Sequence, residues 1–477
     1  MRTRLTVALV ALALLTGGAS AGAEAPVAVA GPRTGTGIAG IAGIAGIGDP
    51  YFPEDGNGGI DVLGYDVHDA YRFSDRRISG WTTITLRTTE QLSSFDLDLL
   101  LPVSAVTLST GRSTFARPDR HELRITPSRP IASGTTVRVR VAYAGHPQRL
   151  SWAGESNWAA SRDEVVAMNE PHMAPWWFPA NDHPLDKARM HLFITVPRDR
   201  QVIANGVLAG VRRDGAHATY HWEAGAPMAT YLAFFAAGDF AVRSGTAHHL
   251  RYEVAVSRQL PARDRRAAMR GLLRTPGIVA WLSRHLGRYP FGVTGGLVTS
   301  LNPGFSLENQ TRPTYPLGVF RLLMVHELAH QWFGDSVSVH HWRDVWLNEG
   351  FATFMERLWL AEHGGPSTTT WLHQAYGDET QPSFWQVPVS DPGPNHLFGW
   401  PVYERGAMTL AALRARIGPD DFGRLLTSWT SLHRHRHGTT EQFEALAASI
   451  SGLDLTSFFD AWVHQPTTPE PIADNGL

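Results

Sequence analysis

The chain has 477 residues, more than one ordinary domain needs, and its hydrophobic content of 43% with 16 Trp is ample for folded cores. Its formal charge of −2 shows no bias toward nucleic acid or an anionic membrane, so neither is an expected partner. It contains no Cys, which excludes disulfides, thiol nucleophiles and Cys-bound metals. Any metal must therefore be held by His, Asp or Glu.

Residues 1–21 have the three-part pattern of an export signal. Arg2 and Arg4 form the charged start, residues 5–15 are apolar, and residues 19–21 (ASA) form a small-residue cleavage site. The apolar run is shorter than the roughly 20 residues of a membrane-spanning helix, so a cleaved signal is favoured over a membrane anchor. We expect the mature protein to be secreted and extracellular, without a membrane span, and monomeric.

The rest of the chain divides by pattern. Residues 22–48 are of low complexity and are expected to be flexible, because small side chains cannot offset the entropy lost on ordering. Across residues 49–244, alternating segments such as TVRVRVAY predict an N-terminal antiparallel β-sandwich or saddle-shaped domain. Residues 245–466 are mainly helical after a few strands, which predicts an α+β second domain, and residues 467–477 are a C-terminal tail. Within that second domain, the segment ARDRRAAMRGLLRTPGIVAWLSRHL predicts a helix interrupted near Pro276.

The segment FRLLMVHELAHQWFG predicts a helix that stops at Gly334 and carries a metal site. His326 and His330 are four residues apart and share one helical face, at a separation that one cation can bridge. Glu327 points beside such a cation, where it can take a proton from bound water. Glu349, 19 residues after His330, is the candidate third ligand, carried back by a second helix.

Two imidazoles and one carboxylate suit a single Zn²⁺ per chain with one open coordination position, rather than copper(I) or an iron–sulfur cluster. The alternative is chance, since the chain has 22 His. A His-Glu-x-x-His pattern would arise by accident in only about one such chain in 20, so the metal site is favoured.

These segments resemble the aminopeptidase N family of zinc metallopeptidases, the gluzincins that also include leukotriene A4 hydrolase. Beyond the metal motif, NPGFSLENQT resembles the family's exopeptidase motif and VYERGAMTL its Tyr-Glu-x-Gly segment. EPHMAPWWFPANDHPLDKA, PMATYLAFFAAGDF and SFFDAWVHQP resemble further family signatures, so the similarity covers roughly residues 49–466. The resemblance implies a two-domain, secreted bacterial-type member whose second domain is a thermolysin-like catalytic domain.

The resemblance also implies roles for residues outside the metal motif. Tyr403 would donate a hydrogen bond to the oxyanion of the tetrahedral intermediate. Glu308, and Glu170 from the first domain, would bind the free α-amine of a peptide substrate, and Asn309 would be a further substrate-binding residue. Taken as bare residues, Tyr403 would be a core tyrosine and both glutamates would be solvated acids.

Glu356 lies seven residues after Glu349, on the same helix face. It could hydrogen-bond a ligand histidine and orient it, or it could pair with Arg357 at the surface, and the sequence favours neither. Further on, HRHRH (433–437) is expected to be a loop rather than a metal tract, and Thr439 and Gln442 behind it predict a helix-capping pair.

The expected function is removal of the N-terminal residue of peptides by zinc-activated water. A zinc endopeptidase or an epoxide hydrolase on the same scaffold is an alternative, as is a binding protein with a relic zinc site. The complete set of catalytic residues argues against the relic. Phe305, Ser306 and Leu307 depart from the family pattern, so the preferred N-terminal residue is not predicted. Too few residues follow Tyr403 for the helical C-terminal domain of larger members, so a more open cleft that accepts longer peptides is expected.

Overall fold

The computed structural model describes residues 40–156, 158–316 and 320–477, so the predicted export signal lies outside the described residues. Within these ranges, every helix is too short or too polar to cross a membrane. The chain forms a mainly β N-terminal domain followed by a mainly helical domain, as the sequence predicts.

The N-terminal domain is built from strands whose side chains alternate between core and solvent. In TVRVRVAYAG, for example, Val137, Val139 and Val141 are buried while Arg138 and Arg140 are exposed. The strands are β1 (Ile41–Ala42), β2 (Ile60–Arg72), β3 (Arg77–Thr88), β4 (Leu92–Asp98), β5 (Val103–Leu108), β6 (Ser113–Ala116), β7 (Glu122–Pro127), β8 (Thr136–Gly145), β9 (Trp158–Ala160), β10 (Val165–Ala167), β11 (Ala188–Pro197), β12 (Gln201–Ala204), β13 (Val207–Asp214), β14 (His217–Met228) and β15 (Phe235–Gly238).

These strands form a seven-stranded sheet in the order β13-β14-β11-β2-β3-β8-β5 and two four-stranded sheets, β1-β4-β7-β6 and β12-β15-β10-β9. The large sheet is mainly antiparallel, as predicted, with one exception: β11 pairs with β2 in parallel. Between β2 and β11 the chain contributes strands to all three sheets. It then re-enters the large sheet as β11, which runs in the same direction as β2.

The expectation that residues 22–48 are flexible is wrong for residues 40–48. β1 pairs in parallel with β4, the Ile41 N–H donates to the Gln91 carbonyl at 3.0 Å, and the Gly43 N–H donates to that of Ser94 at 2.8 Å. The free edge of β4 supplies backbone hydrogen-bond partners that do not depend on the small side chains of this segment.

The second domain contains one four-stranded sheet, β16-β17-β18-β19, and a two-stranded ladder, β20-β21, surrounded by helices. Its elements are β16 (Phe240–Ala247), β17 (Leu250–Ser257), α1 (Ala262–Leu272), α2 (Thr275–Leu286), β18 (Val293–Val298), β19 (Thr314–Tyr315), α3 (Arg321–Ala329), β20 (Val337–Val339), α4 (Trp346–Glu362), α5 (Thr368–Asp378), α6 (Pro382–Trp385), α7 (Trp400–Ile417), α8 (Pro419–Leu432), β21 (Arg436–Gly438), α9 (Thr440–Ser451) and α10 (Thr456–Phe459). Because β16 pairs with β17 along its whole length, this sheet begins at Phe240, not at the predicted boundary after residue 244.

Two helix predictions near the ends of this domain have definite outcomes. The predicted break is confirmed: α1 ends at Leu272 and α2 begins at Thr275, with Pro276 in its first turn, where a missing N–H costs nothing. The predicted cap of α9 is confirmed as a capping box between Thr439 and Gln442. The loop predicted at HRHRH is partly wrong, because residues 436–438 form β21 on the free edge of β20.

Helices α4 and α7 pack closely, so that Glu349 on α4 and Tyr403 on α7 lie near each other. They approach closely at Gly350 and Gly406, where a Cβ on either residue would lie 2.9 Å from the other's Cα. Any larger residue at these positions would push the helices apart. The contact matters because Glu349 lies next to the first glycine, and Tyr403 lies one turn from the second.

Candidate active site

The first two metal-ligand candidates lie at the end of α3. The helix stops at Ala329, five residues before the predicted stop at Gly334. His330 nevertheless keeps helical dihedral angles, and its N–H donates to the His326 carbonyl at 3.2 Å. The two imidazoles therefore keep the one-turn spacing. The helix ends early because the chain turns back toward β20, a reversal in which Gly334 adopts a φ of 115°.

The third candidate, Glu349, comes from the first turn of α4. Its Oε2 lies 3.1 Å from Nε2 of His326 and 3.4 Å from Nε2 of His330, and all three residues are buried. Ligand atoms about 2.0–2.1 Å from a tetrahedral zinc ion are separated by about 3.3–3.4 Å. The three side chains therefore have the donor types and spacing that fit a zinc ion with one position left open.

The charges of this trio favour metal binding. Burial opposes ionisation of Glu349, but the two neighbouring imidazoles outweigh it and lower the pKa of Glu349 to about 2. Burial likewise opposes protonation of His326, yet its hydrogen bonds to Glu349 and Glu356 raise the pKa well above the usual value. Glu349 thus supplies negative charge that stabilises either a proton on His326 or a metal ion, and the proton leaves when a metal ion binds.

Each histidine is oriented through its second ring nitrogen. Nδ1 of His326 lies 2.9 Å from Oε1 of Glu356, and Nδ1 of His330 lies 3.0 Å from the Phe333 carbonyl oxygen. A proton on each Nδ1 leaves Nε2 with its lone pair facing Glu349. Of the two contacts considered for Glu356, the structure therefore shows the hydrogen bond to the histidine. Arg357 instead contacts Glu404 at 3.0 Å.

We expect Glu356→Ala to weaken zinc affinity by about 10- to 100-fold, because His326 loses the acceptor that fixes its ring. Glu356→Gln should have a smaller effect, since the amide oxygen can still accept from Nδ1. Competition with a zinc chelator of known affinity measures both constants. Equal affinity in the Ala variant and the parent protein would contradict an orienting role.

The two candidate catalytic groups flank the trio. Glu327 is buried beside His326, and burial raises the pKa of its carboxyl to about 8, so this group holds a proton readily. Tyr403 is half-buried on α7, and its ring stacks on the His326 ring with centroids 6.1 Å apart and planes 18° apart. Burial and then the charge of Glu349 raise the pKa of the Tyr403 hydroxyl well above 10, which keeps it a hydrogen-bond donor.

The predicted substrate-binding residues lie near the trio. The carboxyl group of Glu308 accepts a hydrogen bond from the Tyr231 hydroxyl at 3.2 Å, and its main-chain carbonyl accepts from Nε2 of Gln331 at 2.7 Å. Asn309 is buried, and its Nδ2 donates to the Leu232 carbonyl at 3.2 Å. This bond joins Asn309 to the N-terminal domain beside Glu308.

Glu170 reaches the same region from the N-terminal domain. Burial, and next the charge of Glu308, raise its pKa well above the usual range, so the two carboxylates are neighbours. Its Oε1 is buried and has no hydrogen-bond partner among the described residues. Two neighbouring carboxyl groups, one of which has an oxygen without a partner, are suited to bind a cationic group.

A single β-bridge holds the chain just before Glu308. Leu307 makes an isolated bridge with Thr314, through hydrogen bonds of 3.0 and 2.8 Å, and Glu308 follows it outside any named strand. Pro303 and the turn at Gly304, with a φ of 93°, precede this bridge and limit its extension.

Sequence reasoning missed Tyr231 and Lys187. The Tyr231 ring is buried, and the signal was a lone tyrosine within an apolar stretch, TYLAFFAAGDF, that resembled the family but had no assigned role. Lys187 of the N-terminal domain donates from Nζ to the carbonyls of Asp335 and Ser336, at 2.7 and 2.9 Å. It thereby fixes the turn after His330, and no local pattern indicates such a contact.

Both domains of the chain are similar to known protein families. Residues 64–232 match the model of the peptidase M1 N-terminal domain, and residues 305–462 match that of the peptidase family M1 domain. The chain is 26% identical over 332 residues to probable aminopeptidase 1 of Sulfurisphaera tokodaii, covering 64% of this chain and 41% of that protein. It is 31% identical over 163 residues to aminopeptidase N of Lactococcus lactis, covering 32% of this chain and 19% of that protein. The chain thus spans about two-fifths or less of the length of these curated relatives.

Solved structures are similar over a larger share of the chain. The M1 zinc metallopeptidase from Deinococcus radiodurans is 29% identical, with a TM-score of 0.81, over 90% of this chain and 100% of that one. A mutant of that protein bound to a Tyr-Ser-Ala substrate has a TM-score of 0.78 at the same identity, over 90% of this chain and 100% of its own. With both family models matching, together over most of the chain, and both domains shared with solved members, the chain belongs to peptidase family M1.

Proposed function

We propose that this protein is a zinc-dependent aminopeptidase that hydrolyses the first peptide bond of peptides with a free N-terminus. The observation that carries the proposal is the position of two neighbouring carboxylates, Glu308 and Glu170, beside the trio of metal-ligand candidates. A metal site alone fits any metallopeptidase. Further carboxylates beside that site fit an enzyme that recognises the α-amine of its substrate.

His326, His330 and Glu349 would hold the zinc ion. When bound, zinc supplies an activated water molecule and a positive charge that stabilises an oxyanion. The remaining chemistry belongs to side chains. The Glu327 carboxylate accepts the proton of that water and then delivers it to the leaving amine. The Tyr403 hydroxyl donates a hydrogen bond to the oxyanion as charge develops there.

Substrate orientation is assigned to Glu308 and Glu170. Glu308 and the Oε1 atom of Glu170 are buried, and charge-assisted hydrogen bonds from buried carboxylates to an ammonium group are stronger than in water. The Tyr231 hydroxyl, which bonds Glu308, fixes the direction of that carboxylate. This arrangement would set the register so that a single residue is removed in each turnover. It agrees with the Tyr-Ser-Ala peptide named as substrate of the Deinococcus radiodurans mutant.

Hydrolysis of a panel of aminoacyl anilides, with and without a chelator, tests the proposed activity. Activity is expected to disappear when zinc is removed and to return when zinc is added back. The same peptide with an acetylated N-terminus should not be cleaved. Cleavage of the blocked peptide at a comparable rate would favour an endopeptidase, the alternative that needs no free amine.

Glu308→Gln should lower kcat/KM for substrates with a free amine by about 10- to 150-fold, the value of one hydrogen bond to a charged group. The amide keeps the shape of the side chain but loses its negative charge. Steady-state kinetics on one aminoacyl anilide measures the change. Unchanged kinetics in Glu308→Gln, with zinc content intact, would contradict the amine-binding role.

We also propose that the enzyme acts as a secreted, extracellular monomer. The support for secretion is the pattern of a charged start, an apolar run and a small-residue site in residues 1–21. Expression of the whole chain in a secreting host, followed by N-terminal sequencing of protein from the medium, tests it. Cleavage is expected near Ala21, and sedimentation of the same material gives the oligomeric state.

A further inference from the structure

A second cluster of metal-binding side chain types lies in the N-terminal domain, away from the trio on α3 and α4. Asp98 ends β4, His121 precedes β7 and Glu122 begins it. Asp98 and Glu122 are directly opposite each other in the antiparallel pair. The three residues are 0%, 2% and 2% exposed, so the cluster is closed to bulk water.

The donor atoms of the cluster face one another at distances too long for hydrogen bonds. Nδ1 of His121 lies 3.7 Å from Oδ1 of Asp98 and 3.8 Å from Oε1 of Glu122. Both carboxylate oxygens of Glu122 and both ring nitrogens of His121 are buried without a hydrogen-bond partner among the described residues. Buried polar groups are nearly always satisfied, so these four atoms require a ligand.

The charges of the cluster indicate what kind of ligand would satisfy these atoms. Like charges directly opposite each other across antiparallel strands destabilise a sheet, and burial increases that cost. Two more carboxyl groups, those of Asp55 and Asp182, are almost fully buried close by, and Asp55 is paired with His172 at 2.8 Å. Burial and then the charge of Glu122 raise the pKa of Asp98 well above its usual range. A water molecule could bond to these atoms, but unlike a cation it would not offset the repulsion between Asp98 and Glu122.

The cluster is held in place by its surroundings. The Trp152 ring stacks on the His121 ring with centroids 3.8 Å apart and planes 6° apart. Asp98 accepts hydrogen bonds from the Asp182 N–H at 2.6 Å and from Nδ2 of Asn57 at 3.2 Å. A framework fixed from several directions, with its donor atoms aimed inward, is typical of a preorganised binding site.

We propose that Asp98, His121 and Glu122 bind a divalent transition-metal cation, separate from the catalytic zinc. One imidazole nitrogen and two carboxylates suit Zn²⁺ or Mn²⁺. Mg²⁺ and Ca²⁺ prefer oxygen ligands alone, so the imidazole disfavours them. The ion would join β4 to β7 and, through Asp182, to the segment of chain that follows Glu170. Its role is structural, because a closed site has no position for a substrate.

Metal content tests the proposal without relying on activity. The protein dialysed against Zn²⁺ or Mn²⁺ is expected to hold two equivalents. A variant with His326→Ala and His330→Ala, which lacks the catalytic ligands, should hold one. Adding Glu122→Gln to that variant should remove it. His191, His221 and Glu223 form another ligand-type group on the surface of the large sheet, so His191→Ala with His221→Ala is the matched control, and it should leave the count unchanged.

Thermal unfolding gives a second measurement that needs no change in the cluster itself. In the His326→Ala, His330→Ala variant, Zn²⁺ or Mn²⁺ should raise the midpoint temperature by several degrees, because only the folded cluster binds it. Glu122→Gln should abolish this rise and should unfold no earlier than its parent when metal is removed. Absence of binding by both ions in the variant with the intact cluster overturns the proposal. Loss of the second equivalent in the His191→Ala, His221→Ala control overturns it as well.

Discussion

Glu327→Gln is expected to lower kcat/KM for aminoacyl anilides by about 10³- to 10⁴-fold while the zinc content stays unchanged, the upper part of the range for loss of a general base. The side chain is buried and points beside the ligand trio, so an amide of the same shape fits without disturbing His326. The amide, unlike the carboxylate, cannot accept a proton at the working pH. Kinetics together with metal analysis of the same sample measure both parts of the expectation.

The control for this substitution is Glu90→Gln, the same chemical change at an exposed position far along the chain. It should leave kcat, KM and zinc content at their original values. Full activity of Glu327→Gln would show that another group moves the proton. Loss of zinc in that variant would show instead that Glu327 supports the ligands.

Tyr403→Phe should lower kcat by about 10²- to 10³-fold with little change in KM, because an oxyanion donor acts on the transition state rather than on the bound substrate. A phenylalanine ring can keep the stacking contact with His326, so the change removes only the hydroxyl. Zinc affinity and thermal stability should therefore remain close to those of the parent protein.

Tyr376→Phe is the matched control, since it removes a hydroxyl that donates to the Pro469 carbonyl at 2.6 Å, on another helix of the same domain. It is expected to alter stability by about 1 kcal/mol and to leave kcat unchanged. A raised KM with an unchanged kcat in Tyr403→Phe would make that tyrosine a substrate-binding residue instead.

Three predictions that depend on short stretches of chain agree with the structure. The one-turn spacing of His326 and His330, the break before Pro276 and the capping box at Thr439 and Gln442 all follow from contacts within a few residues. These local interactions are available to the chain before it packs, so a sequence pattern contains their cause.

Predictions that depend on neighbours distant in the chain are less complete. The lead-in was expected to be flexible, because nothing in residues 40–48 indicates that the edge of β4 would pair with them. β16 was divided between two domains, because strand alternation does not reveal which sheet a strand joins. The bond from Tyr231 to Glu308 spans 77 residues and two domains, and no local pattern indicates it.

The sequence by itself determined which residues could bind a metal and move a proton, because those properties belong to the side chains and to their spacing within one helix. Only the tertiary structure decided that Glu356 contacts His326 rather than its neighbour in sequence, and that α7 carries Tyr403 to the metal-ligand trio. It also brought Asp98 and Glu122 face to face across two strands. These arrangements depend on how helices and strands pack, and packing is set by the whole chain rather than by any one segment.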